Sequence, residues 1–174
     1  METKFESLDE KSLLTGLSTI LRKSDSTKAK TKKLYFAGPW FTAKGRLLYE
    51  TCKSICSIVK DRCEYSVFFP ETFKSDDPKK CFDADVEEIT NCDALVALVD
   101  EKDVGTAWEI GMAYAQGKPI YLMGYDETTF QRKTNLMLAY TGKCFTLSKF
   151  AKFLTCGLGH DEFVNVEKNW EVLE

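Results

Sequence analysis

Residues 94–119 read ALVALVDEKDVGTAWEIGMAYAQGKP. The unbroken apolar run from Ala94 to Val99 has the pattern of a central parallel strand, covered on both faces. A polar turn follows, from Asp100 to Asp103. Residues 106–116 then read as a helix, stopped by Gly117 with Pro119 just beyond. Strand, turn and helix in this order are the repeating unit of an α/β protein.

The unit recurs on both sides of this stretch. Residues 34–37 form a short apolar strand ending at Gly38-Pro39. Residues 43–60 form a helix with Leu47, Leu48, Thr51, Cys52, Ile55, Cys56 and Val59 on one stripe. Residues 65–69 are a second strand, stopped by Pro70, and residues 82–90 carry Phe82, Val86 and Ile89 at helical spacing. A fourth strand is expected at 120–123, a helix around 135–140, a fifth strand around 144–147 and a last helix at 150–154. The expected fold class is α/β, a parallel sheet of about five strands between two layers of helices. Ligands of such sheets bind beyond the carboxyl ends of the strands, where strand order reverses.

Residues 1–32 stand apart. Leu13, Leu14, Leu17, Ile20 and Leu21 fall at helical spacing, and a polar Ser/Thr/Lys-rich linker follows. The expected division is an N-terminal extension at 1–32 and a folded domain at 33–174.

Composition excludes several function classes. The 174 residues carry 24 Lys+Arg against 27 Asp+Glu, a net charge of −3, which argues against a dedicated nucleic-acid binder. The single histidine, His160, excludes His-rich metal sites. Seven cysteines without a CxxC pair argue against structural zinc and for small buried thiols in a reducing cytoplasm. No apolar run approaches the ~20 residues of a membrane span, and the N-terminus lacks a signal-peptide layout. Acid–base chemistry falls mainly to carboxylates.

Three carboxylates stand out. Glu109 sits in a helix that is apolar on nearly all sides, and such a helix is expected to be buried. A buried carboxylate is costly unless paired or hydrogen-bonded. Asp103 precedes that helix, where its side chain can cap it. Asp85 borders the buried stripe of the preceding helix. Carboxylate sets of this kind suit chemistry at an anomeric carbon, where one carboxylate attacks and another manages the proton. After the first strand, Gly38 allows close backbone approach, and Trp40 and Phe41 can stack on a flat ring.

The segments Tyr35-Phe36-Ala37-Gly38-Pro39-Trp40-Phe41-Thr42, Asp85 with Ile89-Thr90-Asn91 and Asp93, Asp103-Val104-Gly105 with Glu109-Ile110-Gly111, and Asn135-Leu136-Met137 together resemble the nucleoside 2-deoxyribosyltransferase family. The resemblance spans residues 33–146. It implies a flavodoxin-like sheet and a catalytic domain at 33–174. It also implies transfer of a 2-deoxyribosyl group between purine or pyrimidine bases, through a covalent sugar ester and with retention. On this resemblance Glu109 is the nucleophile, Asp85 contacts the base and delivers a proton, Asp103 holds sugar hydroxyls and orients Glu109, and Tyr35 steadies Glu109. Gly38, Trp40, Phe41 and Gly105 line the substrate site. Asn135 and Met137 are lent to the site of an adjacent protomer.

The implied partners are deoxynucleosides, free nucleobases and further copies of the chain, as a dimer or a hexamer. No cofactor or metal is implied. After the second strand, Pro70-Glu71-Thr72-Phe73-Lys74 contains no Gln, where the family places polar base contacts, so base preference is left open. Two other readings compete: a 2′-deoxynucleoside 5′-monophosphate N-glycosidase with water as acceptor, and a non-catalytic nucleotide-binding module on the same fold.

Overall fold

The computed structural model describes residues 31–130 and 135–166. Strands and helices alternate along them: β1 (Lys32–Ala37), α1 (Ala43–Val59), β2 (Tyr65–Phe68), α2 (Pro78–Asn91), β3 (Ala94–Leu98), α3 (Val104–Ala115), β4 (Ile120–Gly124), α4 (Leu136–Ala139), β5 (Lys143–Thr146) and α5 (Phe150–Cys156). All neighbouring strands pair in parallel, in the order β2-β1-β3-β4-β5. This is the doubly wound flavodoxin-like order, and its switch point lies between β1 and β3.

The two-residue period of β1 sorts its side chains. Leu34 and Phe36 enter the core shared with α1 and α5, beside Leu48, Ile55, Phe150 and Phe153. Tyr35 and Ala37 enter the other core, beside Ile89 of α2 and Ile110 and Ala113 of α3. β3 is buried at every position, as its apolar run requires.

Three expectations need correction. The helix expected at 82–90 begins at Pro78, because Asp77 accepts a hydrogen bond from the Lys79 N–H at 2.9 Å and Pro78 opens the first turn. β1 starts at Lys32, so the boundary expected between 32 and 33 falls inside the strand. α3 is not buried all round. Thr106, Ile110 and Ala113 are buried, whereas Val104, Trp108 and Tyr114 are exposed. Apolarity marked the helix correctly, but the sheet covers only one side of it. The extension expected at 1–32 lies, up to residue 30, outside the described residues, as do residues 167–174.

All seven cysteines are free thiols; Cys52, Cys92 and Cys144 are buried, and Cys156 is exposed. Two cross-ties join α2 to the end of α3. Lys118 Nζ donates to the carbonyls of Thr90 and Cys92, both at 2.8 Å, and Gln116 Nε2 donates to Thr90 Oγ1 at 3.3 Å.

Candidate active site

The site is built at the switch point, from β1, α2 and α3. Tyr35 is fully buried, with its ring stacked on Phe68 at 5.7 Å. Its hydroxyl donates to Glu109 Oε1 at 2.5 Å. Glu109 is half-buried on α3, with Ile110 beside it held against the sheet. Asp103 caps the same helix: its Oδ2 accepts from Thr106 N–H at 2.7 Å and from Thr106 Oγ1 at 2.9 Å. Asp85 faces the group from α2, close enough for its charge to act on both Glu109 and Tyr35.

Electrostatics make the cluster unusual. Burial pushes the Glu109 carboxyl up to about 7, the charges of Asp85 and Asp103 push the same way, and the Tyr35 hydrogen bond opposes them. Burial also raises Asp85. The Tyr35 phenol is held far above its ordinary value, by burial first and then by Glu109. One carboxyl therefore ionises near neutrality, beside a second that keeps its proton longer than usual. Such a pair can supply an attacking oxygen and a proton donor in one step.

The loop after β1 packs on the end of β3 and the start of α1. A Cβ on Gly38 would lie 3.2 Å from the Leu98 Cβ, and one on Gly45 would lie 1.9 Å from the Pro39 oxygen, so the loop sits directly on the first turn of α1. Thr42 Oγ1 caps α1 by accepting from Gly45 N–H at 2.9 Å, and its hydroxyl donates to Glu101. Trp40 and Phe41 meet edge to face at 6.2 Å and are 41% and 58% exposed, so they form an open rim. Gly105 is exposed at the start of α3, where a Cβ would come within 3.1 Å of Asp103 Oδ2.

The structure thus gathers Glu109, Tyr35, Asp85 and Asp103, with Gly38, Trp40 and Phe41 on the loop after β1 and Gly105 in the first turn of α3. Asn135 Oδ1 accepts from the Met137 N–H at 2.9 Å, Met137 is 75% exposed, and neither is hydrogen-bonded to the Tyr35–Glu109 pair.

Several polar groups of this region escaped the sequence reading. Asp100 and Glu101 look like a solvated turn, yet both bind neighbouring loops. Glu71, after β2, pairs with Lys53 of α1. Tyr49 is fully buried with its hydroxyl unpartnered among the described residues, and burial and the charge of Glu71 hold its phenol far up. The carboxylates around Tyr49 could not be read from its place on an apolar helix stripe.

Comparison with known proteins places these features. A protein-family model described as nucleoside 2-deoxyribosyltransferase matches residues 34–148. Among solved structures, a 2-deoxyribosyltransferase from Bacillus psychrosaccharolyticus is similar with 24% identity and a TM-score of 0.55, covering 69% of this chain and 88% of that one. A CMP N-glycosidase from Clostridium botulinum is similar with 20% identity and a TM-score of 0.50, covering 71% of this chain and 94% of that one. At these identities the two likenesses show a shared fold. No curated protein matches the chain.

Proposed function

Because the chain belongs to the nucleoside 2-deoxyribosyltransferase family, we propose that it moves a 2-deoxyribosyl group from one nucleobase to another. The observation that carries this reading is the half-buried Glu109 carboxyl, shifted to about 7 and bonded by the Tyr35 hydroxyl. An ionised Glu109 oxygen attacks C1′ as the bond from C1′ to the base nitrogen breaks. The bonding pair leaves with the base, which takes a proton from Asp85. The transition state is oxocarbenium-like, and the product is a sugar ester of Glu109. A second base then attacks C1′, its proton returns to Asp85, and the Glu109 carboxylate is released. Two inversions give net retention. Tyr35 steadies the Glu109 oxygen throughout, and Asp103 at the cap of α3 holds sugar hydroxyls. Trp40 and Phe41 flank the base, and Gly38 after β1 and Gly105 in the first turn of α3 let sugar and base approach the backbone.

The same reading makes the enzyme a homo-oligomer, with Asn135 and Met137 completing a neighbour's site. The apolar side chains Val104, Trp108 and Tyr114 that α3 leaves exposed support it. It also assigns catalysis to the folded domain that opens with β1 at Lys32, and places the protein in the cytoplasm. Among the described residues, no helix is long and apolar enough to cross a membrane.

The alternative is a 2′-deoxynucleoside 5′-monophosphate N-glycosidase, in which water attacks the ester instead. Lys44, on the first turn of α1 and only loosely paired with Asp100 at 3.8 Å, is the cation that favours it. Incubation with deoxyinosine or thymidine plus free adenine separates the readings. Deoxyadenosine formation supports the transferase. Release of free base alone, or turnover of monophosphates alone, supports the glycosidase. No turnover overturns both and leaves a binding module.

A further inference from the structure

Just past β3, Asp100 has a side chain only 4% exposed. A carboxylate so placed must be hydrogen-bonded or paired. Its oxygens accept from the Tyr125 N–H at 3.0 and 3.2 Å and from Thr129 Oγ1 at 2.8 Å, both beyond the end of β4, and Lys44 of α1 lies 3.8 Å away. The next residue, Glu101, accepts from Thr42, the cap of α1. Lys102 then takes a left-handed backbone at φ 51°, a conformation that favours glycine and is strained for lysine. Asp103 follows and caps α3. One turn of four residues therefore grips the exit of β4, the start of α1 and the start of α3.

We propose that Asp100 is a positioning residue for Glu109, fixing the direction in which α3 leaves the sheet. The proposal rests on the reading of Glu109 given above. Glu109 lies six residues beyond the Asp103 cap, about 9 Å along the helix axis, so a tilt of about 10° displaces its carboxylate by about 1.5 Å. A misplacement of about 1 Å can cost about a hundredfold in rate. Asp100 touches neither Tyr35 nor Glu109 through a hydrogen bond; it acts by keeping the turn that carries the cap in register with β4 and α1.

Asp100→Asn tests this in the full chain. The variant keeps the shape and turns one acceptor into a donor facing Tyr125 N–H and Thr129. Base exchange is measured as kcat and KM, and the Glu109 carboxyl is titrated by carbon NMR. The expected result is a 10-fold to 100-fold loss of kcat, with KM within about twofold and a displaced Glu109 midpoint. Thr129→Val removes one donor with little change of shape, and should move both readouts the same way by less. If Asp100→Asn does not fold, Thr129→Val carries the test alone. Unchanged kcat and midpoint, or a kcat loss that only follows the unfolded fraction, overturns the proposal. If the wild-type chain turns over no nucleoside, the functional reading fails, and the Glu109 midpoint alone then decides whether Asp100 positions it.

Discussion

The two faces of the sheet bury different things. Under α1 and α5 lie Phe36, Phe69, Phe145, Phe150 and Phe153, with rings 5.0 to 6.5 Å apart. Under α2 and α3 lie smaller apolar residues and, at the carboxyl edge, Tyr35 with three carboxylates around it. A tyrosine on each side makes the contrast sharp. Tyr35 and Tyr49 are both fully buried, but Tyr35 donates to Glu109 while the Tyr49 hydroxyl has no hydrogen-bond partner among the described residues. One face is arranged for burial of area. The other carries the cost of buried charge at a single place, which is where function is to be sought.

The contrast breaks first at Glu109. Glu109→Ala should reduce base exchange at least about a thousandfold while the fold is kept, checked by exchange kinetics and circular dichroism. Retained activity would refute the nucleophile assignment. The ring-lined face predicts the opposite pattern. Phe150→Ala should cost about 3–5 kcal/mol in urea denaturation, with kcat per folded molecule unchanged.

Tyr35→Phe lies between these extremes. Loss of a hydrogen bond to a charged group, worth about 1.5–3 kcal/mol, should lower kcat roughly 10-fold to 100-fold. That bond lowers the Glu109 value, so the acid limb of the pH–rate profile should move above the wild-type midpoint of about 7. A downward move would mean that the bond does not hold the ionised form.

The same proton sets a stability slope. Between the ordinary carboxyl value of 4.5 and about 7, folded Glu109 keeps a proton that the unfolded chain has lost. The folded state then binds more protons, so Glu109 lowers stability as pH rises through that window. Glu109→Gln should flatten this part of the curve, read by melting temperature at several pH values. The smallest effect is expected at the other tyrosine. Tyr49→Phe removes an unpartnered buried hydroxyl and should leave stability unchanged or raise it by about 1 kcal/mol.

Much of this was legible in the chain, and the exceptions have physical reasons. The strand at 94–99 announced itself because both its faces are covered, and Asp103 and Glu109 could be placed from that strand outward. The exposed side of α3 was hidden, since an apolar residue reads alike whether its own sheet or nothing in its own chain covers it. Asp100 and Glu101 were read past because carboxylates in a polar turn look solvated; only the return of β4 and α1 to the same edge gives them partners. The backbone at Lys102 could not be foreseen, because lysine has no preference for a left-handed turn.

The cross-ties at the far end of α3 bear on how the carboxylates are spaced. Lys118 and Gln116 fasten the last turn of α2 to the end of α3, so the helices that carry Asp85 and Glu109 are joined at their C-terminal ends. The spacing between Asp85 and Glu109 is thereby braced from outside the carboxylate cluster. The loop of Gly38, Trp40 and Phe41 is held separately, at the other end of the sheet edge, through the hydroxyl of Thr42 on Glu101.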